Sequence, residues 1–135
     1  MSAKRILIID DDEALRVVLS AELEEEGYQV DSAPNLKEGL AKLTKIQFDM
    51  AIVEPFKRTG GIRDDDVETR NFLQKFADKP RPCPYLLVLT GFADLKNAID
   101  CLKKYGANDF VSKPYDLVDF LTTIERIFDD RSSVL

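Results

Sequence analysis

The residues of this chain that could do chemistry fall in four short stretches. Asp10-Asp11-Asp12 follows the apolar run Ile6-Leu7-Ile8-Ile9, and Glu54 follows Ala51-Ile52-Val53. Thr90 follows Tyr85-Leu86-Leu87-Val88-Leu89, and Ser112-Lys113-Pro114 follows Asp109-Phe110-Val111. Each polar group closes a strand-like run. Carboxylates gathered at one place repel unless a cation lies among them. Asp10, Asp11 and Glu54 offer the hard oxygens that Mg²⁺ takes while keeping several waters. Thr90 and Lys113 are suited to holding the oxygens of a phosphoryl group. Taken singly, an Asp after a strand is a helix cap, a Thr in a turn is a turn residue and a Lys is solvated. Together, in this order at successive strand ends, they read as one site.

Composition narrows the chemistry. The chain has 135 residues, 2 Cys and no His. Without histidine there is no Ser-His-Asp triad, no imidazole base and no His metal ligand. Two cysteines cannot complete an ordinary structural zinc site, and Cys83 and Cys101 read as reduced thiols of a cytoplasmic protein. No signal peptide is evident, and no apolar run approaches the ~18 residues of a membrane span. The formal net charge of −6 argues against direct nucleic-acid binding. The size fits one domain, expected over residues 1–130, with a flexible tail over 131–135.

The elements that must position these groups alternate regularly. Within Arg5 to Asp10 the run Ile6 to Ile9 is continuously apolar, as in a strand buried on both faces. A helix is predicted over 12–26, with Leu15, Val18, Leu19 and Leu23 at helical spacing and Gly27 as its stop. Tyr28-Gln29-Val30 reads as a short strand, 35–46 as a helix and 48–53 as a strand. Helices over 66–78, 93–104 and 116–129 enclose strands at 85–89 and 109–111. Five β-α units in strict alternation predict a parallel sheet with helices on both faces, a three-layer α/β/α arrangement. A doubly wound sheet binds its ligand at the carboxyl ends of its strands, where the acids, Thr90 and Lys113 fall.

Those residues carry a resemblance. Ile6-Leu7-Ile8-Ile9-Asp10-Asp11-Asp12-Glu13-Ala14-Leu15-Arg16 is similar to the opening motif, with its acidic pair, of the receiver domains of two-component response regulators (the CheY-like superfamily). Leu87-Val88-Leu89-Thr90-Gly91 resembles that family's switch hydroxyl on strand four, and Asp109-Phe110-Val111-Ser112-Lys113-Pro114 its strand-five motif. The resemblance covers nearly the whole chain. It implies a flavodoxin-like (βα)₅ fold with strand order 2-1-3-4-5. The activity it implies is receipt of a phosphoryl group from a kinase or phosphotransfer protein's phosphohistidine, followed by a conformational switch that signals to an output domain or protein. It implies Mg²⁺ held by Asp10, Asp11, the acceptor side chain and the Phe56 carbonyl. It also implies a switch through Thr90 and Phe110, phosphate binding by Lys113, a cis Lys113–Pro114 bond, and a partner or homodimer face on helix four, strand five and helix five. The expected protein is a signalling module and no enzyme; the missing histidine belongs to its partner.

The departure lies at the acceptor. The family's strand three ends in the aspartate that is phosphorylated; here the segment is Phe48-Asp49-Met50-Ala51-Ile52-Val53-Glu54-Pro55, which puts Glu54 in that place. Asp49 is five residues back, about 17 Å along an extended strand, and Asp64, Asp65 and Asp66 read as helix-start residues beyond a glycine-rich loop. Glu adds up to ~1.5 Å of reach, and misplacement on that scale costs on the order of 10²-fold in phosphoryl transfer. The longer carboxylate also extends toward Lys113 and Thr90, and would imitate part of the charge of a phosphorylated aspartate. Lys57, Arg58 and Arg63, in a loop longer than typical receivers carry, read either as a local basic patch beside the acid pocket or as ordinary solvated charges, and the second reading is favoured.

Three other readings compete. Asp10-x-Asp12 with later Thr90 and Lys113 also suits a haloacid-dehalogenase-like phosphatase, but that family needs a further acidic motif, and Asp116 and Asp119 fall in the last helix. A flavin binder would need glycine and hydroxyl groups where the first turn is acidic. A vestigial receiver acting only as a protein-interaction module grades into the favoured reading.

Overall fold

The computed structural model describes residues 3–54, 84–90, 107–113 and 115–133, together with Asn71, Gln74, Lys75 and Lys96. Its strands are β1 (Arg5–Ile9), β2 (Gln29–Ala33), β3 (Met50–Val53), β4 (Tyr85–Thr90) and β5 (Asp109–Ser112). They form one sheet in the order β2-β1-β3-β4-β5, and every adjacent pair is parallel. Helices α1 (Glu13–Glu25) and α2 (Leu36–Lys45) and a C-terminal helix (Leu117–Ser133) pack on it. This is the flavodoxin-like arrangement that the resemblance implies. Of the helices predicted over 66–78 and 93–104, Asn71, Gln74, Lys75 and Lys96 are helical, and the rest lies outside the described residues.

The strand pattern follows from burial on both sides. Successive side chains of a strand point to opposite faces. Leu7 and Ile9 therefore join Ala51, Val53, Leu86 and Val88 under α2, whose Leu36 and Leu43 close that layer. Ile6 and Ile8 join Met50, Ile52, Leu87 and Leu89 on the other face, beneath Leu19 and Leu23 of α1 and Phe120, Ile124, Ile127 and Phe128 of the C-terminal helix. All four residues from Ile6 to Ile9 are at most 1 % exposed, and each such aliphatic side chain contributes about 1.5–3 kcal/mol by leaving water.

Local signals set the helix ends. Asp12 accepts from Leu15 N at 3.2 Å and caps α1. Asn35 accepts from Glu38 N at 2.8 Å and caps α2. At the far end of α1, Gly27 has φ +100°, while its N–H donates to Glu24 O and Tyr28 N–H to Leu23 O. That paired bonding is a Schellman motif, which wants a residue without Cβ at the turn.

Two elements run several residues past their predicted ends. The second strand runs on through Asp31 and Ser32, polar residues that an edge strand tolerates. Gln29 and Ala33 bond toward β1, so Ser32 directs its backbone outward. There the Asp31 carboxylate accepts its N–H at 2.9 Å and Lys42 Nζ donates to its carbonyl at 2.7 Å. These two side chains, themselves ion-paired at 2.7 Å, blunt an edge that would otherwise invite pairing with another strand. The last helix continues to Ser133, past the end predicted at residue 129, because neither Gly nor Pro follows Phe128 to stop it.

Candidate phosphoacceptor site

Backbone pairing puts the two key acids side by side. Ile9 and Val53 are register partners on adjacent strands, and Glu54 N–H donates to Ile9 O at 2.9 Å. The next residues, Asp10 and Glu54, thus emerge together at the carboxyl edge. Thr90 and Ser112 are likewise register partners, so Lys113 emerges at the same edge from β5. Three strand spacings separate β5 from β1, about 14 Å in a flat sheet, and the long lysine stem helps to cover that distance.

Lys113 joins the acids. Its Nζ lies 2.9 Å from Asp10 Oδ2 and 3.2 Å from Glu54 Oε2. The Asp10 side chain is 1 % exposed and that of Glu54 10 %. The second Asp10 oxygen accepts Asp12 N–H at 2.9 Å. A buried carboxylate is costly unless it is paired and hydrogen-bonded, and Asp10 meets both conditions. Burial alone would push the Lys113 ammonium down, but the hydrogen bond it donates to Asp10 and the charges of Asp10 and Glu54 outweigh it and hold its pKa above the ordinary lysine value.

The predicted site residues divide. Asp10, Glu54 and Lys113 meet directly. Asp11 is exposed and Asp12 caps α1, so Asp10 and Glu54 are the carboxylates that Lys113 draws together. Thr90 closes β4, and Phe110 is half-buried on β5, packed against the core on the α2 side. The Thr90 hydroxyl, Phe56, Pro114 and the Lys113–Pro114 bond lie outside the described part of the structure, as do Lys57, Arg58, Arg63 and Asp64 to Asp66. Asp49 stands at the opposite end of the sheet, where its carboxylate accepts Arg5 N–H at 2.8 Å.

Among the described residues, no three carboxylates are arranged to hold a metal ion. Mg²⁺ usually needs only one or two, with waters completing its shell. Two carboxylates facing one ammonium leave a negative charge in excess, so the donor set fits a hard divalent cation. Two participants went unassigned in the sequence. Arg16 Nη1 donates to the Asp10 carbonyl; it belongs to the opening motif, but helical spacing alone does not show that it reaches back. Tyr115 stacks on Phe120 with ring centroids 4.6 Å apart. Burial raises its phenol pKa, Lys113 opposes that, and Asp10 and Asp12 reinforce it. Its only signal is an aromatic directly after Lys-Pro.

Comparison with known proteins agrees with this geometry. No family model matches the chain. The acid tolerance regulatory protein ActR of Rhizobium meliloti is 30 % identical over 121 residues, covering 90 % of this chain and 58 % of ActR. The transcriptional regulatory protein PhoP of Escherichia coli is 26 % identical over 130 residues, covering 96 % of this chain and 54 % of PhoP. The chain thus spans a little over half the length of these curated relatives. A CheY-like response regulator receiver domain protein from Methanospirillum hungatei superposes with a TM-score of 0.77 at 36 % identity, covering 97 % of this chain and 98 % of that one. The chain belongs to the receiver-domain family of two-component response regulators.

Proposed function

We propose that this receiver is atypical: Glu54 occupies the phosphoacceptor position, ordinary phosphorylation is impaired, and the Glu54–Lys113 contact sets part of the phosphorylated state in advance. The 3.2 Å approach of Lys113 Nζ to Glu54 Oε2 is the observation that carries this reading. A phosphoryl group would present oxygens to the same ammonium. Glu54 brings one negative charge there, where a phosphoryl group brings nearly two, so the imitation is partial.

In this reading Asp10 and Glu54, with Asp11 and the Phe56 carbonyl, hold Mg²⁺, which when bound neutralises charge on phosphoryl oxygens. Lys113 holds a phosphoryl oxygen or, in its absence, the Glu54 carboxylate. Thr90 and Phe110 relay the state of the pocket to β5. The donor partner is a histidine kinase or phosphotransfer protein. The surface formed by the helix predicted over 93–104, β5 and the C-terminal helix docks an output domain or protein, or a second copy. The edge position of β5 and the 70 % exposure of Val118 on the following helix support that assignment. The protein signals in the cytoplasm by binding, without turnover of a substrate. A phosphatase reading is disfavoured because Asp12, its would-be second acid, is engaged in capping α1.

Amide chemical shifts test the pre-set switch. Phe110 to Lys113 are compared in the wild type and in Glu54→Asp, before and after acetyl phosphate with Mg²⁺. The wild-type shifts are expected between the two states of the variant. Coincidence with the unphosphorylated variant would refute the reading.

A further inference from the structure

Arg16 lies one turn into α1, yet its guanidinium reaches back to the end of β1 and donates to the Asp10 backbone carbonyl. Asp10 is thereby held on every polar group. Its N–H donates to Ala33 O at 3.2 Å, Oδ1 accepts Asp12 N–H at 2.9 Å and Oδ2 accepts Lys113 Nζ at 2.9 Å. A cation entering the pocket competes with Lys113 for the carboxylate. The other three bonds must then keep Asp10 in place, and of these the Arg16 bond alone is made by a side chain. Arg16 touches the backbone carbonyl and not the carboxylate, so it governs where the oxygens stand without occupying their lone pairs.

We propose that Arg16 is a positioning residue of the acid pocket, fixing Asp10 so that its buried carboxylate presents set oxygens to a divalent cation. This rests on the reading that Asp10 and Glu54 bind Mg²⁺. Partners that orient a metal ligand from behind typically account for about 10–100-fold in affinity. A second role for the same guanidinium predicts the opposite sign: as a nearby positive charge it would repel Mg²⁺, and its removal would tighten binding.

The test is Mg²⁺ titration of the whole chain, followed through the amide resonances of residues 10–12, in the wild type, Arg16→Met and Arg16→Lys. Urea unfolding of each is measured alongside. Arg16→Met is expected to bind Mg²⁺ about tenfold or more weakly while folded, with Arg16→Lys recovering most of the loss. Should Arg16→Met not fold, Arg16→Gln makes the same comparison with the same expected weakening. Unchanged or tighter binding by the folded variant, or a stability loss without an affinity loss, overturns the positioning role. Absence of Mg²⁺ binding by the wild type overturns the metal reading itself, and this role with it.

Discussion

At the scale of single residues, the site rests on one ammonium between two carboxylates. Its Asp10 half is buried and its Glu54 half nearly so, which separates this cluster from an ordinary surface ion pair worth under about 1 kcal/mol. Removing the cation leaves Asp10 buried and unpaired. Lys113→Met should therefore cost about 1–3 kcal/mol in urea unfolding at neutral pH, below the full penalty for a broken buried pair because Lys113 is a quarter exposed. That Asp10, Glu54 and Lys113 would meet was legible in the sequence because each follows a strand. Arg16 was not legible as a participant: its reach depends on how α1 leaves β1, which no spacing rule encodes. Which of the three acids would be buried was not legible for a related reason. Consecutive acids in a turn look alike in sequence, and only the turn decides which one is buried.

At the scale of elements, the carboxyl edge is built by strands whose continuous apolar runs announced them. β1, β3 and β4 fell close to their predicted places because burial on both faces demands unbroken apolar residues. β2 was read too short because half of an edge strand faces water and carries polar side chains, here Asp31 and Ser32. Helix ends are testable points in this frame. Gly27→Ala places a Cβ at φ +100° and should destabilise by about 1–2 kcal/mol. Asn35→Ala removes the cap of α2 and should cost about 1 kcal/mol; chemical denaturation of each variant checks both values. Gly39 separates α2 from β1 by so little that an added Cβ would stand 2.7 Å from Ile9 Cγ1. Overpacking of about 1–3 kcal/mol outweighs the ~1 kcal/mol helix gain from Ala, so Gly39→Ala should lower the melting temperature.

Across the whole molecule, a parallel sheet carries its chemistry on one edge and leaves the other end structural, as Asp49 and Arg5 show. Among the described residues, no helix is long and apolar enough to cross a membrane. The pocket also gives the domain an alkaline signature. Lys113 has its pKa raised above 10.5 in the folded state. The stability it contributes is fully present below that ordinary value and lost as pH rises through the folded value. The raised phenols of Tyr28 and Tyr115 act in the same direction above their ordinary 10.0. The difference in unfolding free energy between wild type and Lys113→Met should thus shrink above about pH 10.5, as pH-dependent urea titrations would show. The central claim concerns Glu54, a substitution that leaves the charge total untouched. Intact mass after incubation with acetyl phosphate and Mg²⁺ tests it most directly. The wild type is expected to gain no stable, stoichiometric phosphate, while Glu54→Asp is expected to be labelled; a stoichiometric adduct on wild-type Glu54 would contradict the account.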